Sequence, residues 1–132
     1  MGKSVLAVLL GLLASFVVVA AIEYLGHALY PLSEQIDVNE TEALKKLMEN
    51  APFGALFMVL IAHLFGGAAS VFTTIKIAKK SGPAYVVAIL FFLLTISNLF
   101  MIPHPIWFTV SDVVMVLAGF VLVFKFVKPV KE

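Results

Sequence analysis

Cysteine is absent from this 132-residue chain, and so is arginine: all nine basic residues are lysine. Without cysteine there is no disulfide scaffold, no thiolate metal site, no thiol catalysis and no quinone-linked disulfide chemistry. Without arginine forks, and with a net charge of only +1, no basic field is available to hold nucleic acid. Charge itself is scarce. Asp, Glu, Lys and Arg make up 13% of the chain and hydrophobic residues 62%. Soluble domains carry about twice that charge and less apolar mass, so lipid is the expected solvent and the bilayer the expected partner.

Also missing are the alternating polar and apolar positions of barrel strands. The apolar runs are continuous, which favours helices. Four of them approach the roughly 20 residues needed to cross a bilayer: about 4–27, 52–78, 83–102 and 105–127. The expected fold is all-α, a single four-transmembrane-helix bundle. Pro52, Pro83 and Pro105 stand where helices begin, because a proline at the first helical position forfeits no hydrogen bond. The N-terminal MGKSVLAVLLGLLASFVVVAA has a signal-like outline. Its apolar stretch of about 18 residues exceeds the usual h-region, so a retained helix is expected.

Lys3, Lys76, Lys79, Lys80, Lys125, Lys128 and Lys131 fall on one side of the four-span arrangement. Lys45 and Lys46 fall on the other, among Glu34, Asp37, Glu40, Glu42 and Glu49. The positive-inside rule then predicts cytoplasmic termini and an outward-facing loop over 31–51. In that loop Asn39 to Glu42 fits a capping pair, and Leu44, Leu47 and Met48 share one face of a short amphipathic helix.

Polar side chains within the spans are few, and such residues merit a functional reading first. Glu23 and His27 are one helical turn apart in the first span. His63 lies about 16 Å along the second, near the midplane. Asn98 is close to the outer end of the third, and Asp112 is about 10 Å past Pro105. With His104 in the MIPHPIWF turn, these six form an expected outward-opening pocket for a cation, a proton or a small polar ligand. Glu23, His27, His104 and Asp112 are the candidate ligands of a divalent cation. Thr109 to Asp112 also reads as a capping box, which would start the fourth helix near Val110 and leave Asp112 at the surface.

The competing readings come from other classes. The polar residues would serve only as interhelical glue in an accessory or scaffolding subunit of a membrane complex, or the chain would be a proton- or cation-coupled transporter working as an oligomer. Transport needs a polar route through both leaflets, yet Ala84 to Leu94 and Met115 to Phe124 are almost wholly apolar. Enzyme signatures such as HExxH, GxSxG, the P-loop and the dinucleotide fingerprint are absent, which weighs against an enzyme. Gly11 and Ser15 in the first span, with Gly66, Gly67 and Ser70 in the second, are the expected packing seams, and such seams make homo-oligomers plausible.

EYLGHALYP paired with NLFMIPHPIWF resembles a group of small bacterial membrane proteins with four predicted spans and no known activity. The likeness covers nearly the whole chain. It implies the four-span topology, and with the lysine asymmetry the expected location is the bacterial cytoplasmic (inner) membrane. Four spans with a glutamate in the first are also similar in outline to small multidrug-resistance transporters. Glu23, however, is near the end of its span rather than the middle, and the long outer loop departs from that family.

Overall fold

The computed structural model describes residues 1–31, 37 and 39–129. Glu34 and Lys131, both counted in the charge asymmetry, lie outside the described residues. Five helices follow one another: α1 (Gly2–Leu29), α2 (Thr41–Asn50), α3 (Phe53–Ala78), α4 (Ser81–Met101) and α5 (Ile106–Phe126). No strand occurs among the described residues. All but α2 are long and apolar enough to cross a membrane. Length and composition together favour the helix there, because lipid offers no partner for a backbone N–H or C=O outside its own helix.

α3 is the central helix and α1 packs antiparallel along it. Thr74 Oγ1 donates to the carbonyls of Ala7 at 3.1 Å and Ser70 at 2.8 Å, while Gly26 faces Met58 at the opposite end of the pair. The small residues explain the close approach. Ala7, Gly11 and Ser15 are buried on α1, and Ala62, Gly66, Gly67 and Ser70 on α3. A Cβ built on Gly11 would lie 2.7 Å from the Ser70 carbonyl. The expected seams are therefore present, and they are used within one chain, leaving these residues unavailable to a second copy. Gly119 of α5 makes an equally tight approach, 2.6 Å from a Cβ to the Leu64 carbonyl. Sequence spacing did not reveal it, because it has no small neighbour four residues away.

The start of α1, the end of α5 and the tight α3–α4 turn share one end of the bundle. That turn passes through Lys79, whose φ of 54° is left-handed and whose N–H caps the Ile75 carbonyl. The other end carries α2 and the Ile102–Pro105 turn. At that end Phe53 stacks on Trp107 with centroids 5.3 Å apart, and at the first Tyr85 stacks on Phe124 at 4.5 Å. Aromatic rings at both ends of apolar helices suit two membrane interfaces.

Two expectations need correction. None of the prolines is the first helical residue: Pro52 and Pro105 precede α3 and α5 as N-caps, and Pro83 is the third residue of α4. All three positions lie where the proline's missing N–H would have lacked an intrahelical partner. Asn39 does not cap α2. Glu40 holds that place without a side-chain bond, and both Nδ2 and the backbone N–H of Asn39 donate to Asp37 Oδ1, at 2.8 and 3.0 Å. The short Asx-type turn has outcompeted the helix for the Asn39 side chain. The fourth span starts as expected: α5 begins at Ile106, just after Pro105, so the rival capping box at Thr109 does not form.

Candidate functional site

At the α2 end the helices part around a cavity of about 230 Å³. Glu23, Gly26, His27 and Tyr30 line it from α1 and the residue beyond. Leu47, Met48 and Ala51 roof it from α2. Ala55, Met58 and Val59 contribute from α3, and Asn98, Ile102 and His104 close the far side. Each placement follows from the local sequence. Glu23, Gly26, His27 and Tyr30 recur every three or four residues, so one face of α1 presents them together. Leu44, Leu47 and Met48 are half-buried while Lys45, Lys46 and Glu49 are exposed, so α2 lays its apolar face over the opening.

His104 is held by the two prolines around it. A proline disfavours the helical region for the residue before it, and Ile102 ends α4 with extended φ −115° and ψ 121°. The His104 ring stacks on Phe108 with centroids 4.6 Å apart and planes 13° from parallel. Burial pushes the His104 pKa below the usual 6.5; the Ile102 carbonyl and Asp112 pull it up, and His63 pushes it down further.

Below the cavity, Leu56, Leu60 and fully buried Phe108 form a small apolar layer. Beneath that layer His63 Nδ1 meets Asp112 Oδ1 at 2.7 Å. Asp112 is completely buried, whereas the His63 side chain keeps about 10% of its surface accessible. The separation is in the charge-assisted range. With Asp112 ionised, the His63 Nδ1–H donates to the carboxylate and leaves Nε2 as the basic nitrogen. With Asp112 protonated, its O–H donates to Nδ1 instead.

The six expected pocket residues therefore divide. Glu23, His27, Asn98 and His104 share the cavity, and His63 and Asp112 form a separate buried pair. Glu23 and His27 make no ion pair with each other; among the described residues the one side-chain ion pair is His63 with Asp112. Glu23, His27, His104 and Asp112 are not gathered as a metal-ligand set, and no three His, Asp or Glu side chains among the described residues are. The apolar layer at Phe108 is the physical cause, since it keeps the Asp112 carboxylate away from the cavity wall. Sequence reasoning also passed over Tyr30, Met58 and Phe108. The four-residue spacing of His104, Phe108 and Asp112 was the signal for the last.

Toward the termini the bundle is sealed. Val71, Ile75, Ala84, Val87, Ala88, Phe91, Val116, Phe120 and Val123 form one buried apolar cluster. The buried hydroxyls in that half are spent on carbonyls: Ser15 on Leu12, Ser70 on Gly67, and Thr74 on Ala7 and Ser70. No family model, curated protein or solved structure matches the chain.

Proposed function

We propose that the chain is a four-span protein of the bacterial cytoplasmic membrane, with both termini cytoplasmic, that binds a small ligand in the cavity at its outer end. The observation that carries this is the composition of the cavity wall. One carboxylate (Glu23), one amide (Asn98) and two imidazoles (His27, His104) stand among Leu47, Met48, Ala55, Met58, Val59 and Ile102. A wall of this kind suits a ligand with an apolar body and one cationic or hydrogen-bonding head. At about 230 Å³ the space is below the roughly 300–1,000 Å³ of drug-sized sites, so the ligand is small. Methionine side chains adapt their shape to apolar surfaces. A bare metal ion is a poorer fit, because the carboxylates are separated. The lysine asymmetry and the resemblance of EYLGHALYP and NLFMIPHPIWF support the orientation and the membrane. The apolar filling toward the termini argues against a transport route through one protomer.

Methionine-methyl NMR tests the reading directly. Met48 and Met58 line the cavity, while Met1 and Met101 are exposed elsewhere and serve as controls for detergent partitioning. Hexylamine should shift the Met48 and Met58 methyls saturably, and Glu23→Gln should weaken it roughly tenfold or more, the worth of a hydrogen bond to a charged group. Hexanol should be indifferent to that substitution. If neither compound moves those two methyls beyond the controls, the accessory-subunit reading takes its place.

A further inference from the structure

Two buried side-chain polar atoms among the described residues have no hydrogen-bond partner: His104 Nδ1 and Asp112 Oδ2. Leaving such an atom unpaired is costly, more so if it is charged. The buried hydroxyls of Ser15, Ser70, Thr74 and Thr95 are all satisfied by backbone carbonyls, so the bundle does pair its structural polar groups. The two exceptions sit on a histidine and an aspartate, side-chain types that give and take protons in acid–base chemistry. Phe108 stands next to both residues. His104 stacks on Phe108, and Phe108 lies one turn before Asp112 on the same face of α5.

We propose that His104 and the His63–Asp112 pair form a proton relay that opens on the cavity and ends in the middle of the bundle. A proton from cavity water binds the His104 ring and makes it imidazolium. It then passes to Asp112 Oδ2, with water at the Phe108 edge as carrier, and His104 returns to neutral. Asp112 becomes a carboxylic acid on Oδ2 while Oδ1 still accepts from His63 Nδ1–H. The His63–Asp112 pair changes from net negative to net neutral, and no oxidant or second substrate is consumed.

Few other titratable groups bear on this relay. α1 and the residue beyond it present Glu23, His27 and Tyr30 at the cavity, α3 presents His63, and α5 presents Asp112. The only titratable side chain of α4, Tyr85, is at the far end. Glu42, Lys45, Lys46 and Glu49 of α2 are on its exposed face. Asp112 has no exposed surface of its own, so a proton must reach it through a neighbour, and His104 is the neighbour that lines the cavity. The apolar cluster toward the termini ends the path. The relay loads and unloads a buried proton and does not conduct one across the membrane. It requires water at His104 and does not depend on which ligand the cavity binds.

Time-resolved infrared spectroscopy after a drop in pH tests this. The protonated-carboxyl stretch of Asp112 should appear in wild-type protein in detergent and be missing from Asp112→Asn, which keeps an acceptor for His63. His104→Phe preserves the stack on Phe108 and removes the nitrogens. It should delay the band by roughly a hundredfold or more and leave its final amplitude unchanged. His104→Gln, which keeps a polar group but cannot carry the proton, should cause the same delay and stands in if His104→Phe fails to fold. A rate equal to wild type in a folded His104 variant, or no carboxyl band that Asp112→Asn removes, would overturn the relay.

Discussion

His63 and Asp112 are 49 positions apart in the chain and 2.7 Å apart in the bundle, and each is the other's one side-chain partner. The pair ties α3 to α5 at a depth where water does not compete. Removing half of it should be costly. His63→Leu strands a fully buried carboxylate, so unfolding in a detergent–SDS titration should show a loss of about 3–5 kcal/mol. The double variant His63→Leu/Asp112→Val should lose much less, since replacing a whole buried pair by apolar side chains is often near neutral. Equal losses in the single and double variants would mean that the contact is not what holds these two helices in place.

The glycines separate close packing from mere presence in a helix. In Gly11→Ala the new methyl meets the Ser70 carbonyl and the Thr74 hydroxyl, and in Gly119→Ala it meets the Leu64 carbonyl. Backbone cannot step aside as a side chain can, so each helix pair must move apart, at a cost of about 1–3 kcal/mol. Gly82→Ala has nothing within 4 Å of its added carbon. It should be neutral or gain up to about 1 kcal/mol from helix propensity. The same unfolding titration reads all three.

Much of the fold was legible because lipid leaves a chain few choices. Continuous apolar runs must be helices, and all four spans were placed within two residues of their observed ends. The Ala7–Gly11–Ser15 and Ala62–Gly66–Ser70 stripes show in sequence as small residues four apart, and they pack as that spacing implies. The His63–Asp112 contact was not legible. Counting residues from helix starts locates Cα atoms, and it put Asp112 about 6 Å above His63. Side chains lean toward the N-terminus of their helix, and the longer imidazole reaches up to the shorter carboxylate. The capping pair at Asn39 failed for a local reason, since Asp37 bonds its side chain first. No count along the chain shows that Phe108 stands between Asp112 and the cavity wall, because that depends on where the Pro103–Pro105 turn sets the ring of His104.

Acidification should loosen that turn. The folded pKa of His104 lies below 6.5 because burial disfavours the charged ring. Between the lowered value and 6.5 the opened turn binds more protons than the closed one. Its contribution to stability is therefore complete above pH about 6.5 and is lost as pH falls through 6.5 and on through the folded value. Hydrogen exchange at the Ile102 amide, which is bonded to the Asn98 carbonyl at 3.0 Å, should rise over that interval after correction for intrinsic rates. In His104→Phe the rise should vanish. A slope that survives the substitution would assign the effect to another group.

The roof of the cavity should be the first part of the bundle to open. α2 has ten residues, none of them fully buried, and an N-cap with no side-chain bond. A helix that short is marginal in water, so it depends on Ala43, Leu44, Leu47 and Met48 lying against the bundle or the membrane interface. α3 has eleven buried positions and helix neighbours on three sides. Exchange measured by mass spectrometry should therefore be complete for residues 41–50 long before it begins in the middle of α3, because local opening needs far less energy than global unfolding. Met48→Asp removes one of the roof's anchors and should speed exchange in α2 further while leaving α3, α4 and α5 as they were. If α2 instead exchanges with α3, the roof is part of the core, and the cavity beneath it admits ligand only when the whole bundle moves.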